Sequence, residues 1–108
     1  MKEITTQELK QMRSEGQDFV LINTLDPEHF QETHIPDSVN VPQSEPGFAD
    51  RVLELIGTKD RQVVVYCASR ECDSSEQAAD KLEQAGFNVV DYAGGAAEWQ
   101  QAGERLGV

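Results

Sequence analysis

The segment VVVYCASRECDS, residues 63–74, carries two thiols five positions apart, Cys67 at the end of an apolar run and Cys72 inside the polar turn that follows. The thiolate is the form of cysteine that attacks electrophiles and binds metals, so the turn offers nucleophilic catalysis, thiol–disulfide exchange or metal ligation. Metal ligation is the weakest of these. It needs two more ligands, His29 and His34 are the only histidines, and a spacing of five is not that of common structural zinc sites. Metal and cofactor are both read as none. A disulfide between thiols this close closes a small local ring and does not brace the fold. Cys72 reads either as a resolving thiol, attacking a sulfur species on Cys67 to leave a 67–72 disulfide, or as an incidental loop residue. Arg70 is the only cation of the turn, and its guanidinium fork suits an anion. Flanked by Glu71 and Asp73, it reads equally well as a neutralised surface residue. Those two carboxylates oppose an anionic ligand and raise the pKa of a nearby thiol.

The flanking elements decide what Cys67 can do. Residues 62–66 form the clearest strand, and residues 75–85 the clearest helix, with Ala78, Ala79 and Leu82 on one face, Ser74 or Ser75 as cap and Gly86 as terminator. In an open parallel sheet, ligands bind beyond the carboxyl ends of the strands, which is where Cys67 falls. Residues 68–73 are long enough to curl their amides inward at a helix N-terminus, stabilising a thiolate or a sulfur-bound anion and lowering the thiol pKa. The plain alternative is a small buried hydrophobe ending a core strand.

The rest of the chain alternates in the same way. Residues 5–12 read as a short helix capped by Thr5 with Glu8 three positions on, and FVLIN (19–23) as a strand buried on both faces. Asp26 and Pro27 open another short helix, and Pro36 precedes a brief strand at 38–41. Residues 47–56 form an amphipathic helix offering Phe48, Val52, Leu55 and Ile56 inward, with Gly57 as stop. Residues 87–92 form a last strand, Gly94 and Gly95 a turn, and 96–102 a final helix with Trp99. Strands separated by helices indicate a small α/β domain with a parallel sheet.

Size and charge narrow the function. The 108 residues suit one domain, read as 1–108, which buries roughly 60–65% of its extended surface without staples. A net charge of -11 spread along the chain disfavours nucleic acid and anionic membrane, and slows small anions unless a local donor cluster offsets it. With no run of apolar residues long enough to span a bilayer and no leader pattern, a cytoplasmic monomer is expected.

With LIN at 21–23, HFQETHIPDSVNVP at 29–42, YC at 66–67, SEQAA at 75–79 and GGAAEWQQAG at 94–103, the chain resembles the rhodanese-like single-domain sulfurtransferases over nearly its whole length. The resemblance implies a three-layer α/β domain, a five-stranded parallel sheet flanked by helices. It also implies that Cys67 is a nucleophile that becomes a persulfide, with Ala68, Ser69, Arg70, Glu71, Cys72 and Asp73 as the loop that holds it. The implied donor is thiosulfate, a small sulfur anion, or a persulfide, and the acceptor cyanide, a thiol or a protein cysteine, with no cofactor. In the resemblance His34 belongs to a scaffold motif away from the nucleophile.

The departures from the family pattern are specific. Asn23 and Leu25 stand where an aspartate and an arginine are usual, Ser74 stands where an arginine often precedes the helix serine, and the loop is about two residues longer than the usual six. A longer loop is similar to that of related phosphatases and arsenate reductases, whose arginine is not matched here. Two functions therefore compete: sulfur transfer through Cys67, and a non-catalytic protein-binding, sulfur-carrier or redox-sensing module. His29 is read as a surface residue, Trp99 and Phe30 as packing, and Asp26 and Asp91 as capping or bordering the pocket with no case for catalysis.

Overall fold

The apolar runs of the sequence become the middle of a sheet. The computed structural model describes residues 2–107, in which five strands, β1 (Lys2–Glu3), β2 (Phe19–Asn23), β3 (Val39–Asn40), β4 (Gln62–Tyr66) and β5 (Val89–Tyr92), alternate with five helices. The helices are α1 (Thr6–Ser14), α2 (Pro27–Glu32), α3 (Phe48–Ile56), α4 (Ser74–Gln84) and α5 (Gly95–Gln101). The strands pair in parallel in the order β1-β5-β4-β2-β3, which puts β4 at the centre and makes a three-layer α/β domain. Among the described residues no helix is long and apolar enough to cross a membrane.

The strand period of two sorts the core into two halves. Val63 and Val65 of β4 join Ile22, Phe48, Val52, Ala78, Ala79 and Leu82 beneath α3 and α4. Val64 and Tyr66 point the other way, to Leu9, Met12, Tyr92, Ala96 and Trp99 beneath α1 and α5. Each fully buried valine of β4 contributes roughly 1.5–3 kcal/mol over exposure, which is why a continuous apolar run is stable only with helices on both faces.

Local signals hold in most places. Thr5 and Glu8 form the capping box of α1 reciprocally, with Thr5 N to Glu8 Oε1 at 3.0 Å and Glu8 N to Thr5 Oγ1 at 3.1 Å. Gly57 and Gly86 end their helices with positive φ. Leu55 departs from expectation. It is 41% exposed, because Phe48, Val52 and Ile56 already fill the inward stripe of α3. Asp26 stands at the N-cap of α2 without a side-chain cap bond. The N-cap of α4 is Asp73, again without a side-chain bond, so neither Ser74 nor Ser75 caps the helix, and both hydroxyls are used inside the molecule.

The segment between α2 and β3 is tied to the sheet by one hydroxyl. Ile35 N donates to Tyr66 Oη at 3.0 Å, Ser38 Oγ lies 2.7 Å from the same oxygen, and Ser38 Oγ donates to Ile35 O at 2.7 Å. Removing that oxygen leaves a buried amide without an acceptor. Tyr66→Phe should cost about 1–3 kcal/mol in urea denaturation, and a loss below a few tenths of that would show that this segment does not depend on the bond.

Candidate active site

Cys67 is delivered to the carboxyl end of the sheet by the pairing of β4 with β2 and β5, and its backbone is then fixed by α5. Ala96 N donates to Cys67 O at 3.0 Å and Ala97 N to Ala68 O at 2.9 Å. This contact requires Gly95: at φ +66 it sits in the left-handed region, and a Cβ there would lie 2.4 Å from Cys67 O. On the other side Thr24 holds the end of β4. Its amide (3.1 Å) and its hydroxyl (3.2 Å) both donate to Tyr66 O, and Ser74 Oγ donates to Thr24 O at 3.2 Å.

Cys67 is 1% exposed. Its thiol donates to the Cys72 carbonyl at 3.3 Å, with Ser69 O at 4.0 Å and Ser75 Oγ at 3.6 Å. The loop therefore turns two carbonyls toward the sulfur, and the donors on the anion-stabilising side come from Ser75, through both its amide and its hydroxyl. Burial is the largest effect, the Cys72 thiol adds to it, and together they push the Cys67 thiol up to about 11. The expected lowering of this pKa does not occur. A carbonyl accepts the thiol proton and offers nothing to the thiolate.

The other predicted loop residues occupy distinct places. Arg70 is held in a fork by Glu98 of α5, with Nε to Oε2 at 2.9 Å and Nη2 to Oε1 at 3.4 Å, so its cation is neutralised by α5 and not by its sequence neighbours. Glu71 accepts from Ser69 Oγ at 3.0 Å. Ala68 and Asp73 are exposed, and Cys72 is half-buried with a free thiol. His34 stacks on Phe30 with ring centroids 4.1 Å apart, donates through Nδ1 to Phe30 O at 2.9 Å, and pairs its backbone with Gly107, while His29 is exposed.

Asn23 and Leu25 shape the adjoining surface. Asn23 Oδ1 accepts from Leu25 N at 2.9 Å, and both residues line a cavity of about 260 Å³ with Ala68, Ala96, Ala97 and Leu106, so the wall beside the loop is mainly apolar. Three residues that sequence reasoning did not assign to the site belong to it by contact: Thr24, Ser75 and Glu98. The Ser74–Ser75 doublet was a usable signal, since two hydroxyls opening a helix after a parallel strand face the strand end. Nothing in the sequence singles out Glu98.

Two outcomes test this geometry. Gly95→Ala adds left-handed strain and an overpacked Cβ, and should cost roughly 2–5 kcal/mol in denaturation while disturbing Cys67. Gly94→Ala meets the Glu98 carboxyl at 2.5 Å and its Cβ at 2.9 Å, but no backbone of the loop and no positive φ, and should cost less. With the thiol near 11, the thiolate fraction at pH 8 is about one in a thousand, so alkylation of Cys67 should still be rising above pH 10. A plateau below pH 9 would contradict the buried, carbonyl-facing thiol.

The sequence profile of the rhodanese-like domain matches residues 5–102. The chain is 36% identical over 100 residues to the HTH-type transcriptional regulator Rv0324 of Mycobacterium tuberculosis, covering 93% of this chain and 42% of that protein, so it spans less than half the length of this relative. It is 33% identical over 100 residues to the thiosulfate sulfurtransferase GlpE of Pseudomonas syringae, covering 92% of this chain and 87% of that one. Among solved structures, the rhodanese-like domain of Anabaena protein Alr3790 superposes with a TM-score of 0.83 at 26% identity, covering 99% of this chain and 79% of that one. With a matching profile over nearly its whole length, and a cysteine ending the central parallel strand, the chain belongs to the rhodanese-like domain family of sulfurtransferase fold.

Proposed function

We propose that residues 1–108 act as one rhodanese-like unit that transfers sulfane sulfur through Cys67. The observation that carries this reading is the position of the sulfur, at the end of the central strand with the first-turn amide and hydroxyl of α4 turned to it from Ser75. The Cys67 thiolate attacks the outer sulfur of a persulfide or of thiosulfate, forming a new S–S bond as the donor S–S bond breaks. The leaving group is a thiolate in the first case and sulfite in the second. An acceptor thiolate or cyanide then attacks the outer sulfur and returns Cys67 as thiolate. No oxidant, metal or cofactor is needed for the cycle. With the sulfur buried, loading requires residues 68–73 to open, and the loop amides, Ala68 to Asp73, then supply donors to the persulfide anion.

The surroundings favour a donor and acceptor with an organic body. The cavity beside Ala68 is mainly apolar, Arg70 is engaged by Glu98, and the overall charge of -11 repels a small dianion. A protein or low-molecular-weight persulfide in a reducing, cytoplasmic setting fits these features better than thiosulfate. The raised thiol pKa and the missing charged pair favour a second reading, a sulfur-carrier or redox-sensing module that accepts sulfur without turning over quickly.

Cys72 has a role in both readings. Cys67 donates to the Cys72 carbonyl at 3.3 Å, which keeps the two residues adjacent; once Cys67 carries a persulfide, the Cys72 thiolate can attack Cys67 Sγ, forming a 67–72 disulfide as the outer sulfur leaves as hydrogen sulfide. Intact-mass spectrometry after incubation with a glutathione persulfide donor, thiosulfate or buffer tests the proposal. The parent and Cys72→Ser should each gain one sulfur atom and Cys67→Ser none, and adding cyanide should remove the sulfur as thiocyanate. Equal loading of Cys67→Ser removes the proposed nucleophile. Loading without thiocyanate release selects the carrier reading.

A further inference from the structure

The turn that covers the sulfur carries one cation, and α5 binds it. Cys72 N donates to Ser69 O at 3.1 Å, closing a turn over residues 69–72. The carbonyls at its two ends, Ser69 O and Cys72 O, are the ones that the Cys67 thiol meets at 4.0 and 3.3 Å. Arg70 stands at the first corner of that turn and is the only cation between Cys67 and α4. Its guanidinium gives Nε and Nη2 to the two carboxylate oxygens of Glu98, at 2.9 and 3.4 Å.

The docking of α5 places Glu98 for this contact. Ala96 N and Ala97 N fix the first turn of α5 against Cys67 O and Ala68 O. The Glu98 carboxyl folds back over Gly94, where a Cβ would lie 2.5 Å from Oε1, so the rotamer that reaches Arg70 uses the space a missing side chain leaves. The fork occupies the edge of the guanidinium that suits a carboxylate or another oxyanion. With side chains 61% and 35% exposed, the pair adds little to stability. Its consequence is for charge. While Glu98 holds Arg70 the loop presents no free cation, and its other charged residues, Glu71 and Asp73, are negative.

We propose that Glu98 is a positioning residue that sets the class of sulfur donor. By holding Arg70 on α5 it withholds the loop cation from an anion arriving at Cys67, so the site discriminates against small oxyanions such as thiosulfate and admits sulfur carried on an uncharged body. Released from Glu98, the guanidinium, three residues from Cys67, is the group of the loop that pairs with the oxyanion end of thiosulfate. The inference rests on Cys67 being the reacting sulfur and names which donors reach it.

The test compares alkylation of Cys67 by iodoacetate, an anion, with alkylation by uncharged iodoacetamide, in a Cys72→Ser background so that one thiol reports. Loop opening and the thiol pKa enter both rates equally, so their ratio reads the charge that the incoming reagent meets. Glu98→Ala should raise the iodoacetate-to-iodoacetamide ratio about three- to fivefold, the weight of one exposed charge pair. In an Arg70→Ala background the same substitution should raise it by clearly less, because no cation remains to be released. An unchanged or lower ratio for Glu98→Ala overturns the proposal. So does an equal rise in both backgrounds, which the field of the carboxylate alone would give. Glu98→Gln serves the same comparison if Glu98→Ala does not fold. Sulfur loading is read separately by intact mass, thiosulfate against N-acetylcysteamine persulfide, and should shift toward thiosulfate in Glu98→Ala by a similar factor. Loading from both donors without that shift overturns the proposal. A raised alkylation ratio in a protein that loads from neither donor upholds the withheld cation and removes sulfur transfer, so the two failures are told apart.

Discussion

The site depends on a pair of hydrogen bonds that cross from the first turn of α5 to the carbonyls of Cys67 and Ala68, at 3.0 and 2.9 Å. They fix the direction in which the chain leaves the central strand, and so where the sulfur points. They exist only because Gly95 lets the two backbones approach without a Cβ between them. The same docking brings Glu98 against Arg70, so the loop cation and the α5 carboxylate close the outer side of the loop as one unit. Thr24 and Ser74 complete the frame from the opposite side by capturing the last carbonyl of β4 and binding β2 to α4.

Within that frame, desolvation competes with hydrogen bonding. A sulfur buried among carbonyls is held as a thiol, and the first turn of α4 is what favours the anion. In the proposed cycle, a closed, protonated resting state protects the Cys67 thiol from oxidation, at the expense of reactivity until the loop opens. The acidity of the whole chain acts in the same direction, since a net charge of -11 makes any anion at the site depend on local donors. Beside the loop, Leu25, Ala68, Ala97 and Leu106 make the apolar part of a cavity that Glu32 and His29 border.

The sequence was most readable where one physical effect dominates. Residues 62–66 and 19–23 could only be central strands because their apolar runs need cover on both faces, and the Thr5–Glu8 spacing specified a capping box that is present atom for atom. The position of Cys67 at a strand end followed from the same reasoning. Strand β1 has two exposed residues and no apolar pattern, and its place beside β5 comes from edge pairing that composition does not encode. Leu55 was misplaced because four apolar residues competed for a stripe that three fill. The thiol pKa was misjudged for a different reason. Residue types say that a loop can present amides, but the dihedral angles decide whether amides or carbonyls face the sulfur. Asp91 was read as a border residue and is buried, because a single acid in an apolar strand looks the same in sequence whether it faces solvent or the interior.

The central claim is that sulfur is carried on Cys67 inside the 68–73 loop. A crystal structure of the protein after reaction with a persulfide donor tests it most directly. The account predicts density for one additional sulfur bonded to Cys67 Sγ, within hydrogen-bond distance of the Ser75 hydroxyl and amide, with the Cys72 carbonyl swung away and loop amides in its place. Additional sulfur on Cys72 alone, or an unmodified Cys67 still donating to the Cys72 carbonyl in a protein shown by mass to be loaded, would contradict it.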